Sequence, residues 1–304
     1  MNHVKRLTTG RLKPFDIISG AMLLLFAGFV VYPFYQCLII SLSNGVDIEL
    51  NGVVYLWPRV FSLESYGLVL KNPAFLIGTR NTVLRTLLGA PLSVMITAMY
   101  AYAISHRELV LRKAISTLGL VSMYFGGGLI PTFLLIRDLG LYDRFEVYLL
   151  IYTFSMFYAL VLLAYFKGLP RSLEECAMID GANEIVVFFR IILPIAKPAF
   201  AAVLLFAAVQ QWNSWFDCMI YTENPQLEVL SYIFAKLLLT QNYLKQAISA
   251  EGMSAEELMA LRGPITSLTI QMATMIIATA PIICIYPFLQ KYFVKGIMIG
   301  SLKG

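Results

Sequence analysis

Apolar residues occupy this chain in long blocks. They neither alternate as in a half-buried strand nor keep to one stripe as in a soluble helix. A helix needs about 20 mostly apolar residues to cross a bilayer. Six stretches reach that length, at 16–40, 82–104, 114–136, 147–166, 198–220 and 263–289. The pattern predicts an all-α, polytopic membrane protein with six transmembrane helices. The first run follows a basic N-terminus, but it is too long for the apolar centre of a secretory signal and no A-x-A site follows it; it reads as a retained anchor. Two connections are long enough to fold. Residues 41–81 carry the turn-forming pairs Asn44-Gly45, Asn51-Gly52 and Trp57-Pro58. Residues 221–262 predict helices at 229–239 and 254–261, the second opening on the capping-box pattern of Ser254 and Glu257. No internal repeat is visible.

Composition narrows the class. Of 304 residues, 59% are hydrophobic and 13% charged, where a soluble domain carries roughly 25% charged residues. That excludes a cytosolic enzyme, a DNA-binding protein, a disulfide-stapled secreted scaffold and a disordered chain. The formal net charge of +5 follows from topology and implies no nucleic acid. Fourteen Lys and Arg lie in the N-terminus, in the connections after the second and fourth stretches and in the tail, against eight in the opposite connections. The positive-inside rule then places both termini in the cytoplasm. Cys37, Cys176, Cys218 and Cys284 are scattered without a CxxC pair, so neither a disulfide framework nor a zinc site is expected. Two histidines, His3 and His106, give no basis for a His-built metal or proton-relay centre.

The connection at 167–197 carries the most information. Pro170 ends the helix before it, and Ser172 and Glu175 have capping-box spacing, predicting a new helix from Leu173. Glu174 and Glu175 fall in its first turn, where the helix dipole favours anions. Asp180-Gly181 predicts its end, with Gly181 in the left-handed position. A second short helix is expected from Asn183 to Arg190, before Leu193-Pro194 returns to the membrane. Leu173, Cys176 and Ala177 give the first helix a small, mildly apolar face, suited to a membrane surface or to docking in a partner.

The spacing E-x-A-x-x-D-G-A, with nine residues between its glycine and I-x-L-P, resembles the EAA loop of ABC importer permeases. Glu175, Ala177, Asp180, Gly181, Ala182, Ile191, Leu193 and Pro194 match it, and Cys176 stands where the family usually has alanine. From about Phe75 to Leu289 the chain resembles a type I ABC importer transmembrane domain. The expected organisation is a cytoplasmic N-terminus, first helix and external loop (1–74), the importer domain (75–290) and a cytoplasmic tail (291–304). Gln211-Trp-Asn-Ser-Trp215 is similar to permeases for complex oligosaccharides, and Gly296 to Gly304 resembles the maltose-type tail that reaches between two ATPase subunits.

The resemblance implies coupling to an ATPase through Glu174, Glu175, Cys176, Ala177, Asp180, Gly181, Ala182, Leu193 and Pro194. It implies contact with that ATPase by Gly300, Ser301 and Lys303. The implied partners are a second homologous permease, two cytoplasmic ABC ATPases, an extracytoplasmic solute-binding protein and an oligosaccharide. The implied setting is the lipid of a bacterial cytoplasmic membrane, crossed several times.

No glycine is followed by lysine anywhere, so the phosphate-binding G-x-x-x-x-G-K-[ST] loop is absent. The expectation is a non-enzyme subunit with no cofactor, metal or catalytic residue of its own, ATP and Mg being used by the partner ATPase. Sugars are bound by aromatic stacking and hydrogen bonds. Candidate path residues are therefore Gln210, Trp212, Asn213, Trp215 and Asp217, with Tyr124 at the head of a Gly-Gly-Gly-Leu-Ile-Pro131 break. Gln210, Asn213 and Asp217 would share one helical face.

Other readings stay open: Trp212 and Trp215 as an interfacial belt, the glycines as close helix packing, Asp217 as a solvated outer residue. Arg80 and Arg85 read as snorkelling outward, and Cys37, Cys218 and Cys284 as core. The rival function, a lone ion-coupled carrier, wants an intramembrane acid or histidine relay that the mid-span sequence scarcely offers. A membrane glycosyltransferase or hydrolase wants paired carboxylates, which Asp138 and Asp143 do not form.

Overall fold

The computed structural model describes residues 14–53, 56–239 and 268–284. The helix expected at 254–261, parts of the sixth stretch and the tail residues Gly300, Ser301 and Lys303 lie outside them. Among the described residues the chain is helical, with one isolated antiparallel bridge between Ser43 and Phe61 and no strand. It divides into two compact units, 1–69 with 246–276, and 70–245 with 277–304.

In the first unit, α1 (Pro14–Ser41) runs for 28 residues with Asp16 in its first turn and Pro33 inside it. Its most apolar window has no buried share, as befits a helix that is apolar all round. Asn44 then caps α2 (Gly45–Asn51), its side chain accepting from the amides of Val46 and Asp47 at 3.0 and 3.3 Å. Arg59 returns to Asp47 at 2.9 Å. In α3 (Glu64–Lys71), buried Ser65 donates to Thr269 at 2.8 Å.

The second unit is built on α4 (Pro73–Ser105), 33 residues long, capped by Asn72 with Pro73 in the first helical turn. It starts well before the expected 82. Ala90, Val94, Ala98 and Ala101 recur on one buried face, and such small side chains let neighbouring helices approach closely. There follow α5 (Arg112–Tyr124), α6 (Leu129–Asp138), α7 (Glu146–Leu150), α8 (Met156–Lys167) and α9 (Ser172–Ile179). After them come α10 (Glu184–Ile195), α11 (Lys197–Asn213), α12 (Phe216–Tyr221) and α13 (Leu230–Leu239); α14 (Leu268–Cys284) belongs to the first unit up to Ile276 and to the second from Ile277. One core joins Ala98 and Tyr102 of α4, Leu162 and Phe166 of α8, Phe188 of α10 and Val203 of α11.

Three of the expected continuous helices are broken. The third bends by 115° between α5 and α6: α5 ends where Phe125 turns extended (φ −115°, ψ 97°), and Gly128, the residue before α6, takes φ +85°. The fourth is interrupted between α7 and α8, where Ser155 leaves helical geometry and caps α8. The fifth stops at Asn213, where Ser214 is extended, and resumes at Phe216. Among the described residues, two helices are long and apolar enough to cross a membrane alone, or up to four spans if each bent pair is one.

Candidate functional site

The α8–α11 connection begins without a side-chain cap. The expected capping box of Ser172 and Glu175 does not form. Arg171 already has helical angles (φ −64°, ψ −28°), so Ser172 lies inside the helix, past the capping position. The carbonyl of Arg171 instead accepts from the amides of Glu174 and Glu175 at 2.9 and 3.1 Å. The Glu174 carboxylate lies 2.9 Å from Nε2 of His106, just beyond the end of α4.

The far end of α9 forms as expected. Gly181 adopts φ +86°. Its amide donates to the Met178 carbonyl at 3.0 Å, and that of Ala182 to Ala177 at 2.9 Å. This paired pattern is the Schellman motif. Ala177, Ala182 and Leu193 pack against the core of the second unit. Glu175, Cys176, Asp180, Gly181 and Pro194 are exposed and Glu174 is half-buried. Beside them Ile179 is 84% exposed.

Asn183 caps α10 through the Val186 amide at 2.9 Å. The helix does not stop at Arg190. It continues to Ile195 through a π turn at Phe188–Ile192. Pro194 has no amide to donate, and a widened turn absorbs that lost bond. An 85° bend then leads into α11. The loop is therefore continuous in backbone and in core with the helices on either side of it.

A second polar centre lies where α11 breaks. Arg85 is fully buried and forms an ion pair with Asp217, itself 2% exposed. The readings of a snorkelling Arg85 and a solvated Asp217 are both corrected. Arg85 Nε donates to Gln211 Oε1 at 3.1 Å and Nη1 to the Ser214 carbonyl at 3.2 Å. Gln211 in turn donates to the Tyr148 carbonyl at 3.3 Å. The guanidinium lies 4.5 Å from the centre of the Tyr148 ring. Ser214 Oγ and the Cys218 amide each donate to Asp217 Oδ1 at 3.0 Å. Every charge is paired, and the carbonyl freed by the break is bonded, so this centre acts as a structural lock.

The candidate path residues scatter. Because α11 ends at Asn213, Asp217 does not share a face with Gln210 and Asn213. Gln210 and Asn213 are exposed, and Gln210 accepts from the Tyr158 hydroxyl at 3.0 Å. Half-buried Trp212 donates to the Ala278 carbonyl at 3.0 Å. Trp215 and Tyr124 are exposed. Of the cysteines assigned to the core, Cys218 is buried, Cys37 half-buried and Cys284 exposed. Among the described residues no cluster of three or more His, Cys, Asp or Glu could hold a metal.

No family model matches the chain. The polygalacturonan/rhamnogalacturonan transport system permease protein YtcP of Bacillus subtilis is 32% identical over 290 residues, 95% of this chain and 98% of that protein. Protein LplC of the same organism is 33% identical over 95% of each chain. The chain belongs to the ABC transporter permeases. The trehalose/maltose transport system permease protein MalG of Thermococcus litoralis is 28% identical over 96% of this chain and 98% of that one. A crystal structure of a bacterial ABC transporter involved in import of the acidic polysaccharide alginate matches with a TM-score of 0.79 at 30% identity. The match covers 94% of this chain and 100% of that one.

The permease is thus a membrane transport subunit. Sequence reasoning anticipated the two short helices of the α8–α11 connection but missed the Arg85–Gln211–Asp217 centre. The available signal was one unmatched cation and one unmatched acid in separate apolar segments, where pairing is the cheapest fate for both.

Proposed function

We propose that this permease forms half of the translocation pathway of a bacterial oligosaccharide importer. It crosses the cytoplasmic membrane six times with both termini inside, its importer domain at 75–290 and its tail at 291–304. A second homologous permease completes the pathway, an extracytoplasmic binding protein delivers the sugar, and two cytoplasmic ATPases use ATP and Mg. The carbohydrates named for the relatives support an oligosaccharide substrate. A lone ion-coupled carrier finds no support among them.

The observation that carries this reading is α9, an exposed short helix closed by a Schellman motif and rooted in the core by Ala177 and Ala182. A partner cleft that receives Glu175, Cys176, Asp180 and Gly181 would move α8, α10 and α11 with it, since they share that core. Tail residues Gly300, Ser301 and Lys303 would meet the same ATPases. Gln210, Trp212, Asn213, Trp215 and Tyr124 supply polar and aromatic groups toward the sugar path, while Asp217 supports it from behind.

The test is Gly181→Val. Nothing lies within 4 Å of a Cβ built there, but φ +86° is strained for a β-branched residue. The variant should insert and retain ATPase activity in the assembled complex while uptake falls at least tenfold. Uptake at the parent rate would refute docking through α9.

A further inference from the structure

The turn from α4 to α5 exposes what a soluble surface would hide. Val110 and Leu111 are 79% and 71% exposed. Leu111 is held at φ 62°, in the left-handed region, a conformation that a bulky residue adopts only at a cost. Basic residues flank this apolar tip: Arg107 before it, Arg112 and Lys113 after it. An apolar tip between cations is the pattern of a segment seated at the headgroup boundary.

Behind the turn lies a cavity of about 460 Å³, where α4 and α8 end and α5 and α9 begin. Arg107, Arg112, Lys167 and Arg171 line it, against one carboxylate, Glu174, which is engaged by His106. Arg112 spends its Nε on the Ile104 carbonyl at 2.8 Å. Arg107, Lys167 and Arg171 enter no ion pair among the described residues. A largely apolar cleft of about 450 Å³ adjoins it through His106, with Leu109, Val110, Ile185 and Phe188 in its wall and the carboxylates of Glu108 and Glu184 also in its lining. A cationic chamber opening beside an apolar slot matches one ligand chemistry, a phosphate attached to acyl chains.

We propose that the cavity seats the phosphate of an anionic phospholipid, with acyl chain along the adjoining cleft and Val110 and Leu111 dipped into the same leaflet. The inference rests on the chain being a membrane permease. If the parent chain recruits no ATPase, the importer reading fails instead.

The experiment uses the assembled importer in phosphatidylcholine nanodiscs doped with phosphatidylglycerol, with bound lipid read by native mass spectrometry. The parent should hold phosphatidylglycerol selectively. Arg107→Gln/Lys167→Gln/Arg171→Gln should weaken that binding roughly a hundredfold, at about a factor of five for each cation lost near a surface. Arg144→Gln/Arg190→Gln/Lys197→Gln, which removes equal charge away from both the cavity and the apolar tip, should bind as the parent does. Equal binding by the cavity variant overturns the proposal. So does displacement of the lipid by inorganic phosphate alone, which would make this a free-anion site. Loss of ATPase subunits with lipid binding unchanged assigns the cations to a protein partner and also overturns it. Independently, Val110→Trp should add fluorescence that brominated acyl chains quench; no added quenching refutes the insertion.

Discussion

Arg85 and Asp217, 132 residues apart in the chain, meet as a buried ion pair that closes the break between α11 and α12. Arg85 also holds the Ser214 carbonyl at that break. The broken helix is therefore fastened to α4 at the point where its own backbone bonding fails.

Removing one partner is expected to cost far more than removing both. Arg85→Met leaves Asp217 buried and unpaired, a loss of about 3–5 kcal/mol. Arg85→Met/Asp217→Leu should recover most of it, because the desolvation of both charges disappears together. Denaturant unfolding of the solubilised permease measures the two. A double variant as unstable as the single would show that the Ser214 carbonyl, not the charge pair, carries the stability.

Gly89 faces the same centre. A Cβ placed there would stand 2.5 Å from Gln211 Nε2 and 2.9 Å from its Cδ. The Gln211 side chain is held at both ends, by Arg85 and by the Tyr148 carbonyl, so it cannot swing aside freely. Gly89→Ala should destabilise by about 1–3 kcal/mol. Most of that penalty should vanish in a Gln211→Ala background, a coupling that a double-mutant cycle reads directly.

The Asp47–Arg59 pair makes a pH prediction for the first unit. The hydrogen bond from Arg59, with a second from Asn51, holds the Asp47 carboxyl below its ordinary value of 3.8. A folded-state value below the unfolded one contributes stability above the unfolded value and loses it as pH falls through the folded one. Protection of the α2 amides in hydrogen exchange, corrected for intrinsic rates, should hold from neutral pH down to about 4 and fall below it. Asp47→Asn should remove that dependence. The site is exposed and the effect should stay local.

Much of the loop was readable in advance because its signals are local. Gly181 ends α9 as expected since only a residue without Cβ takes φ +86° easily. Asn183 starts α10 because its side chain reaches an amide three residues on. The capping box failed on equally local grounds: Arg171 had already entered the helix, a one-residue shift that spacing cannot resolve.

Hydropathy found where apolar segments lie, and for α1 nearly where they end, because transfer from water depends on composition and length. It was blind to the bends at Gly128 and Ala196 and to the interruption at Ser214, since a window average carries no backbone angles. The fates of Arg85 and Asp217 were undecidable from one dimension. Whether a charge snorkels or pairs depends on what stands opposite it, and only the folded chain brings α4 to the break in α11. Chemistry written in neighbouring residues was legible; chemistry assembled from distant ones had to await the packing.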